Sequence, residues 1–520
     1  MKKNSRTKNT IYNFITSIGG QVITILMQFI VRTVFIQTLG KSYLGINGLF
    51  TNILSMLSLA ELGVGNAILF KLYKPLADKD EKRINILIKF YKKVYTIIGI
   101  TVAIIGISLI PFLHLMVKDY DKLSTLGINA VLIYSIYLFQ SVSSYLFFAY
   151  KSAIVKADQK EYVLNVVSYA FTIVTSIVQI ILLKTLNNFE LYVIVLVIST
   201  ILQNTVNAHI ANKLYPCIKE KTEEKLSKEE IKDIFKDCFA ILLYKINGVV
   251  LKATDNIIIS TILGLEMVGI YSNYYILYTT INSIFSKVFD SVVHSLGNLH
   301  AKKDINHEYK IFKTVNLIAI ILGATAGIGI FTVSNNFIDA WLGEEWVLKQ
   351  PFSLLMGIEV YTLVNRQYLS KYRNAMGLFQ QAKYRPLFGM IINLIASILL
   401  VKYWGICGVL VGTIIADWTT LMWFDPLIIH KYGFENKFSV KKFYLRNVNY
   451  LIITVILGTI LMLLTNNIFI NHGWFTVIFH AIVCGIIVPI TFTLIYKNNE
   501  EFENIKNILK KFTKRLHLSK

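Results

Sequence analysis

Apolar runs of about 20 residues recur along the chain, and the polar residues inside them fall at helical rather than strand spacing. Each run is long enough to cross a hydrocarbon core of ~30 Å as a helix. The pattern predicts fourteen spans, near 11–36, 44–70, 90–111, 125–150, 162–183, 190–212, 237–262, 267–295, 313–333, 351–371, 384–401, 406–430, 448–466 and 473–497. Span 1 carries Asn13, Ser17, Gln21, Thr24, Gln28 and Arg32 at steps of three or four, which puts them on one slanting face. Span 7 sets Lys245, Lys252, Asp255 and Asn256 on one face. Span 8 does the same with Tyr271, Tyr275, Tyr278, Asn282, Ser286, Asp290 and His294. A membrane helix keeps such a face toward protein or water.

The chain also echoes itself. Displaced by 224 positions, residues 39–80 fall on 263–304 without a gap. Leu39-Gly40 meets Leu263-Gly264, Leu44-Gly45-Ile46 meets Val268-Gly269-Ile270, and Lys79-Asp80 meets Lys303-Asp304. Gln28 meets Lys252, and Arg32 meets Asn256. The repeat predicts two six-span lobes, 1–212 and 237–445, joined by a Lys/Glu-rich linker at 213–236. An extra pair of spans at 446–497 and an amphipathic cytoplasmic tail at 498–520 follow. An even number of spans per lobe makes the repeats parallel, related by an axis along the membrane normal, with a cavity between them. The expected fold class is an all-α polytopic membrane protein with a pseudo-two-fold repeat.

Composition agrees. The chain is 54% hydrophobic and 16% charged, against about a quarter charged in soluble proteins. The net charge of +22 is a topology signal. Most Lys and Arg fall on the side that holds both termini. The other side holds Lys41, Lys118, Lys122, Lys184, Lys349 and Lys402. The positive-inside rule then places both termini in the cytoplasm, and a nucleic-acid partner is not expected. Cys217, Cys238, Cys407 and Cys484 form no CxxC and have no nearby histidine at ligand spacing, so neither disulfide, metal nor cofactor is expected. The loops of the outer side are short. The longest, near 334–350, leaves no room for a catalytic domain, so an enzyme is not expected.

The in-span cations are Arg32, Lys245, Lys252, Lys287 and Arg366. The in-span acids are Glu61, Asp255, Asp290, Glu359, Asp417 and Asp425. Charges at membrane depth are functional candidates by default. The first helix of each lobe presents mainly cations and amides, which suits an anionic headgroup such as a diphosphate. Candidate substrate-binding residues are Arg32, Gln28, Lys245, Lys252, Tyr271, Tyr275, Tyr278, Asn282 and Arg366, the tyrosines being able to stack on sugars. Candidates for ion coupling are Glu61, Asp255, Asp290 and Asp417. Plainer readings stand beside these. Lys252–Asp255 and Lys287–Asp290 are spaced i,i+3, as internal ion pairs are. Arg366 and Asp425 fit snorkelling or capping positions, and Glu359 fits a partner that balances Arg366. Gly19, Gly20, Gly323, Gly327 and Gly329 are candidate flexible points.

The run from Asp255 to Tyr274, D-x-I-I-I-S-x-x-L-G-x-x-x-V-G-x-Y-S-N-Y, stands beside Gly40-Lys-Ser-Tyr-Leu-Gly45 and Glu61-Leu-Gly-Val-Gly65. Together they resemble the bacterial polysaccharide flippases of the multidrug/oligosaccharidyl-lipid/polysaccharide exporter superfamily. The resemblance implies translocation of undecaprenyl-diphosphate-linked oligosaccharide to the outer leaflet by alternating access, for capsule, exopolysaccharide or another surface polysaccharide. It implies membrane lipids, a polysaccharide polymerase and glycosyltransferases as partners. Spans 13 and 14 resemble the added helix pair of lipid II flippases, which forms a groove for the lipid tail. A cation-coupled multidrug antiporter of the same superfamily is the rival, and such proteins often place an acid in span 1, where this chain has Arg32. A membrane-embedded polysaccharide polymerase would need a large outer loop and no repeat. A scaffold subunit of a cell-wall complex would not need the in-span charges.

Overall fold

The structure, a computed structural model, describes residues 6–118, 120–220, 224–301, 304–378, 380–468 and 473–507. Within its helices, the side chains of 6–11, 59–64, 239–252 and 291–295 and of a few single positions are outside the description. Among the described residues the regular structure is helical throughout. The first eight helices are α1 (Arg6–Leu39), α2 (Lys41–Leu57), α3 (Leu59–Asp78), α4 (Glu81–Leu109), α5 (Leu113–Met116), α6 (Lys122–Thr125), α7 (Ala130–Leu146) and α8 (Ser152–Ala157). Then come α9 (Glu161–Leu186), α10 (Phe189–Leu214), α11 (Lys228–Ile262), α12 (Leu265–Ala301) and α13 (Ile305–Leu342). The last five are α14 (Phe352–Ala375), α15 (Arg385–Trp404), α16 (Ile406–Ile428), α17 (Val440–Ile468) and α18 (Trp474–Tyr496).

The punctuation between helices is chemical, and it repeats. Gly40 ends α1 with φ +83° and Gly264 follows α11 with φ +102°, a region that a Cβ disfavours. Asp80 caps α4 by accepting from the Arg83 amide at 2.9 Å, and Asp304 caps α13 by accepting from the His307 amide at 3.0 Å. The 224-residue displacement carries Gly40 onto Gly264 and Asp80 onto Asp304. It also carries Glu161, the start of α9, onto Arg385, the start of α15. One difference stands out. The first copy breaks at Ser58, whose hydroxyl turns back to the Leu54 carbonyl at 2.9 Å and lies 3.4 Å from the Ser141 hydroxyl. At the equivalent Asn282, α12 runs on unbroken.

The chain divides into two compact units, Met1–Gly269 and Ile270–Lys520. In the first, α1 packs on α9, α4 and α10 pack on α7, and α11 packs on α2 and α3. In the second, α13 packs on α14 and α18, and α16 packs on α14 and α15. Its core is aromatic: Phe312, Tyr368, Tyr372, Phe434 and Phe443 form one buried cluster, with Tyr309 stacked on Phe438 at 3.7 Å between ring centroids.

Glycines set the closest approaches. A Cβ on Gly45 would stand 2.0 Å from the Leu265 carbonyl oxygen, and one on Gly269 would stand 2.5 Å from that of Lys41. The displacement of 224 turns the first pair into the second. In the other unit a Cβ on Gly327 would lie 2.7 Å from the Gly357 oxygen, and the reverse distance is the same. Gly323 meets the Asn365 amide at 2.8 Å, and the space beside Gly20 is filled by the Tyr169 ring. Gly20, Gly323 and Gly327 are therefore close-packing positions, while Gly329 faces open space.

Among the described residues nine helices are long and apolar enough to cross a membrane. A tenth arises if α7 and residues 149–157, bent by 42°, form one broken span. Of the fourteen spans expected, those corresponding to α2 with α3, α11, α12 and α14 are outside that set. Two of them, α11 and α12, carry polar stripes; α1, which carries the third, is within the set. Elsewhere the outer faces are bare hydrocarbon: Val448, Ile452 and Val455 of α17 are about half exposed, a surface that only lipid or a partner would cover. The 500–507 segment is helical and pinned by charge. Glu500 meets Lys310 at 3.0 Å and Lys313 at 2.9 Å, and buried Glu501 meets Arg446.

Gly45→Val should force α2 and α12 apart and cost about 1–3 kcal/mol, read as a lower thermal midpoint in detergent. Gly45→Ala and Gly269→Ala together should cost less than their sum, because one spreading of the backbones makes room for both. Strict additivity would contradict the reciprocal contact.

Candidate functional site

Two polar constellations lie inside the helical units, and they differ in charge. The first is a cavity of about 330 Å³ in the first unit. Span 1 contributes Thr24, Gln28 and Arg32 from α1, the face expected from their spacing. The rest of its polar wall comes from Asn47 of α2, from Thr172, Ser176 and Gln179 of α9, and from Tyr192 of α10. The Gln179 amide donates to the Tyr192 carbonyl at 3.2 Å, and Tyr137 donates to the Asn47 side chain. Phe35 packs edge-on against Tyr192, with ring centroids 5.1 Å apart. Among the described residues, Arg32 is thus the one cationic side chain on a wall otherwise made of amides, hydroxyls and apolar groups, and no carboxylate lines it. Thr172, Ser176 and Gln179 stand at steps of four and three, a helical face that the sequence carries beside those of spans 1, 7 and 8. Asn47 and Tyr192 carry no such signal.

The second constellation lies in the other unit, where Arg366 of α14 joins Tyr278 of α12 and Asp417 of α16. The Arg366 guanidinium donates to Asp417 and, at 2.6 Å, to the Tyr278 hydroxyl. That hydroxyl donates in turn to Glu359 at 3.0 Å, and Glu359 lies 3.9 Å from Arg366. Two buried acids therefore share one arginine, and the second oxygen of Glu359 has no hydrogen-bond partner. Glu359 does balance Arg366, as its spacing suggested. Asp417 is the closer partner, and it comes from another helix.

The other candidates are placed as follows. Tyr275 stacks on Tyr278 at 5.5 Å and tilts against Tyr271 at 5.9 Å, so the three tyrosines form a continuous ladder on α12. Asn282 accepts from Gln367. Asp255 is buried on α11 with Asn256 and Ser260. Asp290 is half exposed and accepts from Lys371 of α14, besides taking a 3.2 Å bond from Ser286. The side chains of Glu61, Lys245 and Lys252 lie outside the described residues. Asp425 does not snorkel. It is fully buried, with Arg373 at 2.7 Å and Arg385 beside it. Among the described residues no group of three His, Cys, Asp or Glu could hold a metal.

This arrangement of helices is shared with membrane transport proteins. The inward closed form of the lipid II flippase MurJ aligns over 93% of this chain and 99% of its own, with a TM-score of 0.65 at 16% identity. An inward-facing multidrug resistance MATE family transporter of the MOP superfamily aligns over 80% and 96%, with a TM-score of 0.59 at 14% identity. A MATE structure in a bent conformation aligns over 84% and 97%, at 0.53 and 13%. The fold is thus that of multi-pass, all-α transporters and flippases rather than of enzymes. The family profile described as polysaccharide biosynthesis protein matches residues 39–351, and the chain belongs to that family. No curated protein sequence matches it.

The two arginine sites should respond differently to substitution. Removing one partner of a buried ion pair costs about 3–5 kcal/mol. Asp425→Asn, which strands Arg373 and Arg385, should therefore lower the thermal midpoint in detergent sharply. Arg366→Met should also destabilise, and adding Asp417→Asn should restore much of the loss. A double variant no better than the single would show that Arg366 and Asp417 are not energetically coupled.

Proposed function

We propose that this protein is a flippase that carries undecaprenyl-diphosphate-linked oligosaccharide to the outer leaflet by alternating access, for surface-polysaccharide synthesis. The observation that carries this reading is the Arg32 cavity, where a cation stands among the amides and hydroxyls of Gln28, Asn47, Gln179, Thr24, Thr172 and Ser176. A guanidinium pairs two N–H donors with two phosphate oxygens, and the amides and hydroxyls match sugar hydroxyls. Membership of the polysaccharide biosynthesis family and the fold shared with a lipid II flippase support the same class.

In this reading Arg32 and Gln28, with Lys245 and Lys252 on the repeat-equivalent helix α11, draw the diphosphate in from the cytoplasmic leaflet. The tyrosine ladder Tyr271, Tyr275 and Tyr278 and the Asn282 amide accept the sugars. Arg366 serves a different end, because two carboxylates already meet its charge. Protonation of Asp417, or a cation bound there, would loosen Arg366 and so link ion movement to the transport cycle. Glu61, Asp255 and Asp290 are the further coupling candidates. Both termini face the cytoplasm, beside the polymerase and glycosyltransferases that handle the same glycan.

The rival reading is export of organic cations, as in the multidrug transporters that share the fold. The acid pair Glu359 and Asp417 favours it, and the cationic Arg32 on the wall of the other cavity opposes it.

Proteoliposomes decide between them. A polyprenyl-diphosphate oligosaccharide should change leaflet while a fluorescent organic cation stays put. Arg32→Ala and Lys252→Ala should each cut the rate at least about tenfold, the scale of a lost charge-assisted hydrogen bond, in protein that still melts cooperatively. Movement of the cation alone, or full glycolipid flux without Arg32, would overturn the proposal.

A further inference from the structure

A second cavity, about 370 Å³, opens where α17 begins and α18 ends. Its polar wall is Lys442, Arg446, Asn449 and Asn499, and its floor is the rings of Tyr450 and Tyr496. Arg446 is tied to buried Glu501, while Glu500 is taken up by Lys310 and Lys313. Glu500 and Glu501 are therefore both met by neighbouring cations. Lys442 faces the opening as an exposed cation, and Lys441 and Lys497 add to the positive field along the same edge.

The cavity also has apolar neighbours. Leu445, Val448 and Ile452 climb the outer face of α17, and Leu494 and Ile495 climb that of α18, all about half exposed or more. A cationic cup beside bare hydrocarbon is the shape of an amphiphile: an acidic head in the cup and acyl chains along the helices.

We propose that this cavity is a binding site for a resident anionic phospholipid, with a phosphoglycerol headgroup held by Lys442, Asn449 and Asn499. A zwitterionic lipid would bring its own cation against Lys442. The volume lies at the lower end for ligand pockets, enough for one phosphoglycerol head. The inference rests on the proposed function only in setting this edge at headgroup level, and not on what is transported. The phospholipid would brace α17 and the 500–507 segment at the membrane surface.

The test is native mass spectrometry of the full chain with equal amounts of phosphatidylglycerol and phosphatidylcholine, followed by titration with a polyprenyl diphosphate. The phosphatidylglycerol adduct should dominate. Lys442→Glu should lower its occupancy at least about fivefold, with phosphatidylcholine unchanged and the thermal midpoint without lipid preserved. Lys402→Glu, remote in sequence and of the same charge change, should leave occupancy as it was. Equal occupancy of the two lipids, or full retention in Lys442→Glu, would overturn the proposal. Displacement of phosphatidylglycerol by equimolar polyprenyl diphosphate would also overturn it, assigning the cup to the carrier lipid instead. None of these readouts depends on translocation, so a failure of the flippase reading would be seen separately.

Discussion

Two backbones touching at glycine set the geometry on which the first unit rests. Where Gly45 meets the Leu265 carbonyl and Gly269 meets that of Lys41, no side-chain atom fits between α2 and the first turn of α12. Dispersion at that range needs many atoms in close register, and glycine supplies it by removing the one carbon in the way. Residues above and below the contact are then committed. Ile46 and Leu49 are fully buried, and α11 is held against α2 and α3. The Arg32 cavity borders the same helix, through Leu44 and Asn47.

On this repeated backbone the polar chemistry has diverged. The first unit shows a cation on a wall of neutral donors and acceptors. The second folds its charges inward, Arg366 between two acids and Asp425 between two arginines. Ion pairs of that kind are costly to desolvate and gain little net stability. Neutralising one partner would leave the other in a low dielectric.

Much of the backbone is legible in the sequence because its signals are local. Gly40 and Gly264 announce positive φ, Asp80 and Asp304 announce helix starts, and the displacement between them holds from α1 to the start of α15. The Arg32 face is legible from helical spacing alone, as are the three tyrosines of α12. What spacing along one helix misses is what another helix supplies. Asp290 reads as a partner for Lys287 three residues away, and Lys371, 81 residues on, donates to it as well. Asp425 reads as an interfacial acid beside Pro426, yet Arg373 and Arg385 close over it from elsewhere in the chain. Tyr192 and Asn47 reach the Arg32 cavity from α10 and α2, and no spacing along either helix points them there. Burial and partner choice are tertiary facts, set by which faces meet.

Helix α13 has 38 residues, about 57 Å at ~1.5 Å per residue, against a hydrocarbon core of ~30 Å. Tilt absorbs part of the excess; the rest is overhang. At one end the overhang carries Glu308, Lys310 and Lys313, and at the other Asn335, Asp339 and Trp341. The helix is thus a strut taller than the bilayer it crosses. Its protruding basic end is a mooring post, and the 500–507 segment is tied up to it.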